Sequence, residues 1–467
     1  MKLKHCYRLA AVAAALHVTP DQTAAPHNPQ LGQKRPTKAE QTLAEAARKS
    51  ANLIATFREE HGLPGIAVAV SVNGKQVWWR GVGYSDVELL SQFSTHTVSR
   101  IASISKPLTM ALVAKLWEDG KLDLDAPVQT YVKEFPEKSF EGQPVTLTTR
   151  QLVSHLAGIR HYKKAEKSES EGKKGDKKEK KVKPVVKKDE NPAVKRNPEF
   201  YQTKDFDSVN ESLKLFKDDD LLSKPGSKFN YTTYGWTLIS AVCEGAAGEP
   251  FEKQVKRMFG QFGMHNTYLD YSRPIIPDRA KYYHRTKRHR LQNVPEVNNS
   301  SKWAGGGFLS TTSDLLLFAN VLLYSLQAEQ LQNPDSKLPS YLKPGTIRQL
   351  WSRVVSKATL NGDYYYGMGF EVMPELEQIG PDTLPWNRSQ GVGHTGAGVG
   401  ASSILMIKPG TPDKGAKAPR GVSVAILTNL QGVNLRGLAL KIIDQFEELE
   451  RLEAQKMSCR SVLLYCA

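Results

Sequence analysis

The chain has 467 residues, 40% hydrophobic and 24% charged, a balance that supports a folded core and excludes fibrous and wholly disordered chains. Its formal charge of +16 is partly local, because the stretch from Lys163 to Arg196 holds 14 Lys and Arg against 7 Asp and Glu. Without that net +7 the rest of the chain carries +9, with no aromatic-interleaved basic face and no zinc-ligand spacing, so no nucleic acid is expected as a partner.

The first residues read as an address. Lys2, Lys4 and Arg8 precede an alanine-rich run from Leu9 to Leu16, and no acid appears before Asp21. This suits a mitochondrial presequence and also a short secretory signal, and residues 1–36 are assigned to such a segment and its linker. No run approaches the roughly 20 apolar residues of a membrane span. The sequon Asn230-Tyr231-Thr232 tilts the choice to mitochondria, because a glycan there would sit on Tyr231, a candidate catalytic residue. Cys6, Cys243, Cys459 and Cys466 form no metal-ligand spacing and no disulfide framework, and no metal or organic cofactor is expected.

Helical spacing runs from Thr37 to Glu60 and ends at Gly62-Leu63-Pro64-Gly65. Ile66–Val72 and Gln76–Val82 are strands around an Asn73-Gly74 hairpin turn. An apolar helix starts near Ser103 and stops at Gly120, and Pro107 places Ser103 at or beside its first turn. A capped short helix covers Thr148 to Leu156. Residues 162–205 break composition as a Lys-rich, flexible insertion, and helical patterning resumes over Phe206–Phe216 and Tyr234–Ala247. Gly305-Gly306-Gly307 reads as a loop, followed by a capped helix from Leu315 to Tyr324. Strands follow at Tyr364–Val372, Ala401–Ile407 and Val422–Thr428, then a last helix at Leu435–Leu452. Strands at both ends with helices between them imply an α/β (α+β) fold, one sheet from distant segments with an inserted, mostly helical subdomain.

Chemistry concentrates at Ser103-Ile104-Ser105-Lys106. Positions i and i+3 share a helix face, so an amine can reach the hydroxyl, and a desolvated amine can take its proton. The same spacing recurs at Ser170/Lys173 in the charged run and at Ser340/Lys343 before a Pro-Gly turn, where it reads as accidental. Tyr231, just before an apolar helix, could carry protons between nucleophile and leaving group, although a tyrosine alone there is more often an anchor. Gly393-His394-Thr395-Gly396-Ala397 is a glycine-rich approach to the strand at Ala401, where a strand N–H can serve an oxyanion hole.

In that order these segments resemble the penicillin-binding, class C β-lactamase-like superfamily of serine hydrolases. The likeness extends to Ser154-His155-Leu156-Ala157-Gly158, to Lys302-Trp303-Ala304-Gly305-Gly306-Gly307-Phe308-Leu309-Ser310-Thr311 and to Tyr366-Gly367-Met368-Gly369-Phe370. It covers about residues 40 to 450, and a β-lactamase/transpeptidase-like catalytic domain is placed at 37–455, with an atypical tail at 456–467. The resemblance implies Ser103 as acylated nucleophile, Lys106 as its base and Tyr231 as a proton carrier. It implies the backbone N–H groups of Ser103 and Ala397 as the oxyanion hole, and Thr233, His394, Thr395 and Gly396 as substrate contacts. Thr233 stands where many relatives have Asn, and His394 where β-lactamases have Lys, so antibiotics are not the expected substrate. The closest likeness is to an animal mitochondrial branch, described as intermembrane-space peptidases that polymerise into filaments and influence lipid metabolism. It implies a peptide or protein substrate and a homo-oligomer or filament, and the Lys-rich insertion could meet an anionic membrane surface. An esterase on the same site, or a filament protein with a vestigial pocket, are the alternatives.

Overall fold

Eight strands from opposite ends of the sequence build the main sheet of the computed structural model, which describes residues 36–163, 194–195, 197–332, 340–354, 364–374 and 389–463. The strands are β1 (Gly65–Val72), β2 (Lys75–Asp86), β3 (Ser91–Gln92), β4 (Tyr365–Tyr366), β5 (Glu371–Pro374), β6 (Ser389–Gly398), β7 (Ala401–Pro409) and β8 (Gly421–Thr428). Their spatial order is β4-β5-β6-β7-β8-β1-β2-β3, with every neighbouring pair antiparallel. Residues 1–35, where an address segment was expected, and most of the Lys-rich insertion lie outside the described residues.

β1, Gly-Ile-Ala-Val-Ala-Val-Ser-Val, is buried on both faces, as its unbroken apolar run requires of a central strand. Asn73 and Gly74, with φ of 50° and 79°, make the left-handed pair that turns β1 into β2. On one face Ser71 donates to Asn320 in α4 (Thr312–Gln327) at 2.8 Å. On the other, Trp78, paired with Val70, packs on Phe446 of α5 (Arg436–Leu463) with ring centroids 5.9 Å apart. Because successive side chains alternate faces, the two helices cover opposite sides of the sheet.

Between β3 and β4 in sequence comes the helical subdomain. Its centre is α2 (Ser105–Glu118), with eleven buried residues all round its axis. α3 (Tyr234–Ala247) packs on it, and Thr148 caps the short helix Thr149–Val153 through a capping box with Gln151. The first helix among the described residues, α1, spans Lys38–His61.

Four sequence expectations shift. The Gly-rich approach to Ala401 is itself the ten-residue strand β6, because its glycines let neighbours come close: a Cβ on Gly393 would lie 1.9 Å from the Leu405 carbonyl oxygen. Gly305 and Gly306 close a short helix, Trp303–Gly306, rather than a loop, and a Cβ on Gly305 would meet Thr233 Cγ2 at 2.8 Å. The helix expected over Phe206–Phe216 is only Val209–Leu213, and the apolar spacing beyond it reflects Phe216 stacked on Tyr234 at 4.8 Å. The last helix runs to Leu463, since Glu453 to Leu463 contains no Gly or Pro to stop it.

Candidate active site

Ser103 sits in a 3-10 turn, Ala102–Ile104, that leads directly into α2. Ala102 takes φ of 46°, a left-handed conformation rare for a residue with a Cβ. The turn is held from three sides. Ser403 of β7 donates to the Ile101 carbonyl at 2.8 Å, the Ile101 N–H donates to Phe308 at 3.1 Å, and the Ser105 hydroxyl donates to the Ala102 carbonyl at 2.7 Å. Pro107 occupies the first turn of α2, where its missing N–H costs nothing.

One turn along, Lys106 is fully buried with Nζ 3.0 Å from Ser103 Oγ, and it donates to the Gly305 carbonyl at 2.5 Å. Desolvation lowers its pKa from 10.5 to about 7, against an opposing attraction from Glu371. The Tyr231 hydroxyl donates to Ser103 Oγ at 2.9 Å, and burial pushes the phenol's pKa well up, so it stays protonated at neutral pH. The three groups expected to converge do so in one place. At neutral pH an amine with an available lone pair, a hydroxyl and a neutral phenol form a path that can move a proton either way.

β6 forms the facing wall. β5 pairs with it only from Ser389 to Gly393, so the stretch from His394 to Gly398 is bordered by β7 on one side and by the nucleophile turn on the other. A Cβ on Gly396 would fall 2.3 Å from the Ile101 carbonyl, and one on Gly398 3.2 Å from the Ala102 Cβ. Ser103, Tyr231, Thr233, His394, Thr395, Gly396 and Ala397 all line a single cavity of about 520 Å³. Every candidate residue named from the sequence therefore lines this cavity, except Lys106, which reaches Ser103 from behind it.

His394 is 2% exposed, and its surroundings fix its tautomer. Nδ1 lies 2.6 Å from the Thr395 carbonyl and must carry the proton, so Nε2 accepts from the Tyr366 hydroxyl at 3.1 Å. That hydroxyl accepts from His155 Nε2 at 3.1 Å, and His155 Nδ1 accepts from the Thr232 N–H at 3.1 Å. Each donor meets one acceptor only if both imidazoles are neutral. Burial first, then the charge of Lys106, push both pKa values down, that of His394 to about 3. His394 thus offers no cation to the cavity, which sharpens the departure from the lysine of β-lactamases.

Beside it Glu371 is 4% exposed, accepts from Thr395 Oγ1 at 2.8 Å and pairs with Arg436 at 2.6 Å. None of Glu371, Arg436, Tyr366, His155, His161 and Lys302 was given a role by sequence reasoning, although His155, Lys302 and Tyr366 stand in segments that carry the resemblance. The usable signal was a lone acid, Glu371, in an apolar strand, which a buried partner must compensate. Thr233 donates its N–H to His161 Nδ1 at 3.3 Å. The sequon is occupied by the fold: Thr232 is 2% exposed and donates to the Arg160 carbonyl at 2.6 Å, and the Asn230 amide donates to Ser223 at 2.8 Å. Cys243 is a buried free thiol inside α3.

Known proteins resemble this chain in sequence and in fold. The human serine beta-lactamase-like protein LACTB, mitochondrial, is 40% identical over 465 residues, 92% of this chain and 84% of the relative. The octameric penicillin-binding protein homologue from Pyrococcus abyssi matches with TM-score 0.61 and 23% identity, covering 84% of this chain and 75% of that one. A class C beta-lactamase matches with TM-score 0.61 at 17% identity, over 86% and 96% of the two chains, so these two likenesses speak for the fold. The family described as Beta-lactamase matches residues 51–445. With that match over most of its length and relatives this similar, the chain belongs to the beta-lactamase family of serine hydrolases.

Proposed function

We propose that the protein hydrolyses peptide or other amide bonds in mitochondria through an acyl-serine intermediate. The observation that carries this reading is the convergence of Lys106 Nζ and the Tyr231 hydroxyl on Ser103 Oγ, at 3.0 and 2.9 Å. Ser103 Oγ attacks the carbonyl carbon as its proton passes to the neutral Lys106 amine. The oxyanion forms against the backbone N–H groups of Ser103 and Ala397, with Thr233, Thr395 and Gly396 along the substrate and His394 holding the strand. Tyr231 gives its proton to the departing amine and regains one from Lys106. Water then attacks the acyl-serine by the same route reversed, which an ester substrate would share.

The basic, acid-poor start of the chain and the mitochondrial relative support the location, and the occupied sequon speaks against a glycosylated secretory route. The proposal extends to the intermembrane space and to homopolymeric filaments linked to lipid metabolism, on the family resemblance. The test is a fluorophosphonate probe on the wild-type chain and on Ser103→Ala. Labelling is expected only in the wild type, and equal labelling of both would remove Ser103 as nucleophile.

A further inference from the structure

Tyr231 stands in irregular backbone just ahead of α3, so neither a helix nor a strand aims its phenol at Ser103. Two hydrogen bonds hold the chain there, and both end on His155. The His155 carbonyl accepts the Asn230 N–H at 2.8 Å, and its Nδ1 accepts the Thr232 N–H at 3.1 Å. One residue thus grips the backbone on each side of Tyr231. Its imidazole also lies against the phenol ring, with centroids 4.3 Å apart and planes tilted by 33°. Phe229 meets the same imidazole edge-on at 5.6 Å.

The backbone of His155 is adapted to this grip. The residue follows the short helix Thr149–Val153 and Ser154 with φ of 59°, the left-handed position at a helix end that Gly or Asn takes more cheaply. A histidine that only filled the core would not need that conformation. His155 is 1% exposed, and its Nε2 donates to the Tyr366 hydroxyl, which donates to His394 Nε2, both at 3.1 Å. His394 Nδ1 in turn donates to the Thr395 carbonyl of β6 at 2.6 Å. With both nitrogens of each imidazole engaged, neither ring can turn over without losing two hydrogen bonds. The bonds therefore run unbroken from the residue after Tyr231 to the strand that carries the Ala397 N–H.

We propose that His155 is a positioning residue for proton delivery. It holds Tyr231 where the phenol can hand its proton to the leaving group, and it keeps Tyr231 in step with β6 through Tyr366 and His394. His155 is not among the residues lining the cavity, so it acts through Tyr231. This rests on the acyl-serine reading of the same site.

A proton from Tyr231 matters more the poorer the leaving group is. 4-Nitrophenyl butyrate releases a phenolate that departs unprotonated, whereas benzyl butyrate releases an alkoxide that must gain a proton as it leaves. The readout is kcat/KM for each ester, taken per fluorophosphonate-reactive serine so that misfolded molecules do not count. His155→Gly suits the left-handed backbone but removes both the Nδ1 acceptor and the ring. It is expected to lose about 10- to 100-fold more on the benzyl ester than on the nitrophenyl ester. His155→Asn places an acceptor near Nδ1 and tolerates the same φ, and should recover much of that loss. In a Tyr231→Phe background, His155→Gly should cost less than about threefold further, because the group it aims is gone.

A histidine that merely supports the fold predicts otherwise. Equal losses on the two esters, or a loss that multiplies in full with that of Y231F, would overturn the assignment. Should H155G prove too unstable to purify, Tyr366→Phe frees the far end of the imidazole while leaving residue 155 intact. It should show the same selectivity between esters, and equal losses would again overturn the assignment. These results leave the nucleophile standing, whereas no Ser103-dependent hydrolysis of either ester would sink the acyl-serine reading as well.

Discussion

Replacing Lys106 with Met should stabilise the fold while removing the base, and the gain should shrink as pH rises. Burial holds the amine at about 7 against an ordinary 10.5. Below pH 7 the folded chain keeps a charged, desolvated ammonium and carries the whole cost. Between 7 and 10.5 the unfolded chain binds a proton that the folded chain has released, so wild-type stability rises with pH, and above 10.5 the cost is gone. Linkage puts the cost at about 5 kcal/mol at pH 6 and about 2 kcal/mol at pH 9. Methionine also leaves the Gly305 carbonyl without its donor, a pH-independent loss of about 1–3 kcal/mol. The stability difference between K106M and wild type should therefore fall by about 3 kcal/mol from pH 6 to pH 9. Urea unfolding of both proteins at the two pH values measures it. A difference independent of pH, or one that grows, would show that the amine is not desolvated as described and would undercut its role as base near neutrality.

Tyr231→Phe removes the 2.9 Å donor to Ser103 Oγ, and the acylation rate in a single turnover should drop by about 10²–10⁴ with the KM of a neutral ester nearly unchanged. A loss below tenfold would move proton delivery elsewhere. Gly396→Ala puts a methyl group 2.1 Å from Ser403 Oγ and 2.3 Å from the Ile101 carbonyl. It should cost about 1–3 kcal/mol in thermal unfolding and slow probe labelling of Ser103, whereas unaltered labelling would mean that β6 does not set the nucleophile turn. Thr148→Ala breaks the capping box with Gln151 and should cost about 1 kcal/mol with labelling unaffected.

Much of the catalytic arrangement could be read from short-range pattern. A serine and a lysine three apart at a helix mouth, with Pro107 inside the first turn, leave few geometries, and the observed 3.0 Å contact is one of them. The hairpin at Asn73-Gly74 and the cap at Thr148 were legible for the same reason, since local backbone chemistry decides them. β6 was not. Its glycines argue for a turn on propensity, and only the approach of Leu405, Ser403 and Ile101 from distant segments explains why they are needed in a strand. Nor could spacing show that His394 is neutral, because its tautomer depends on Tyr366 of β4 and on His155 beyond the short helix Thr149–Val153, both distant in sequence. Glu371 escaped notice because the property that matters, whether a buried charge is paired, belongs to the assembled cavity.

The position of β1 has a consequence for how the molecule is made. Gly65–Val72 leaves the ribosome well before one of its two neighbours, Gly421–Thr428, which lies far along the sequence. Until that strand arrives, a nascent chain displays an unpaired, largely apolar strand edge, the kind of surface that recruits other chains. The nucleophile turn likewise waits for β6 and β7. A fragment cut anywhere before residue 389 would carry Ser103 and Lys106 but neither Gly396 nor Ser403 to hold the turn. Such fragments should aggregate rather than hydrolyse, which ties the appearance of activity to the synthesis of β6 and β7.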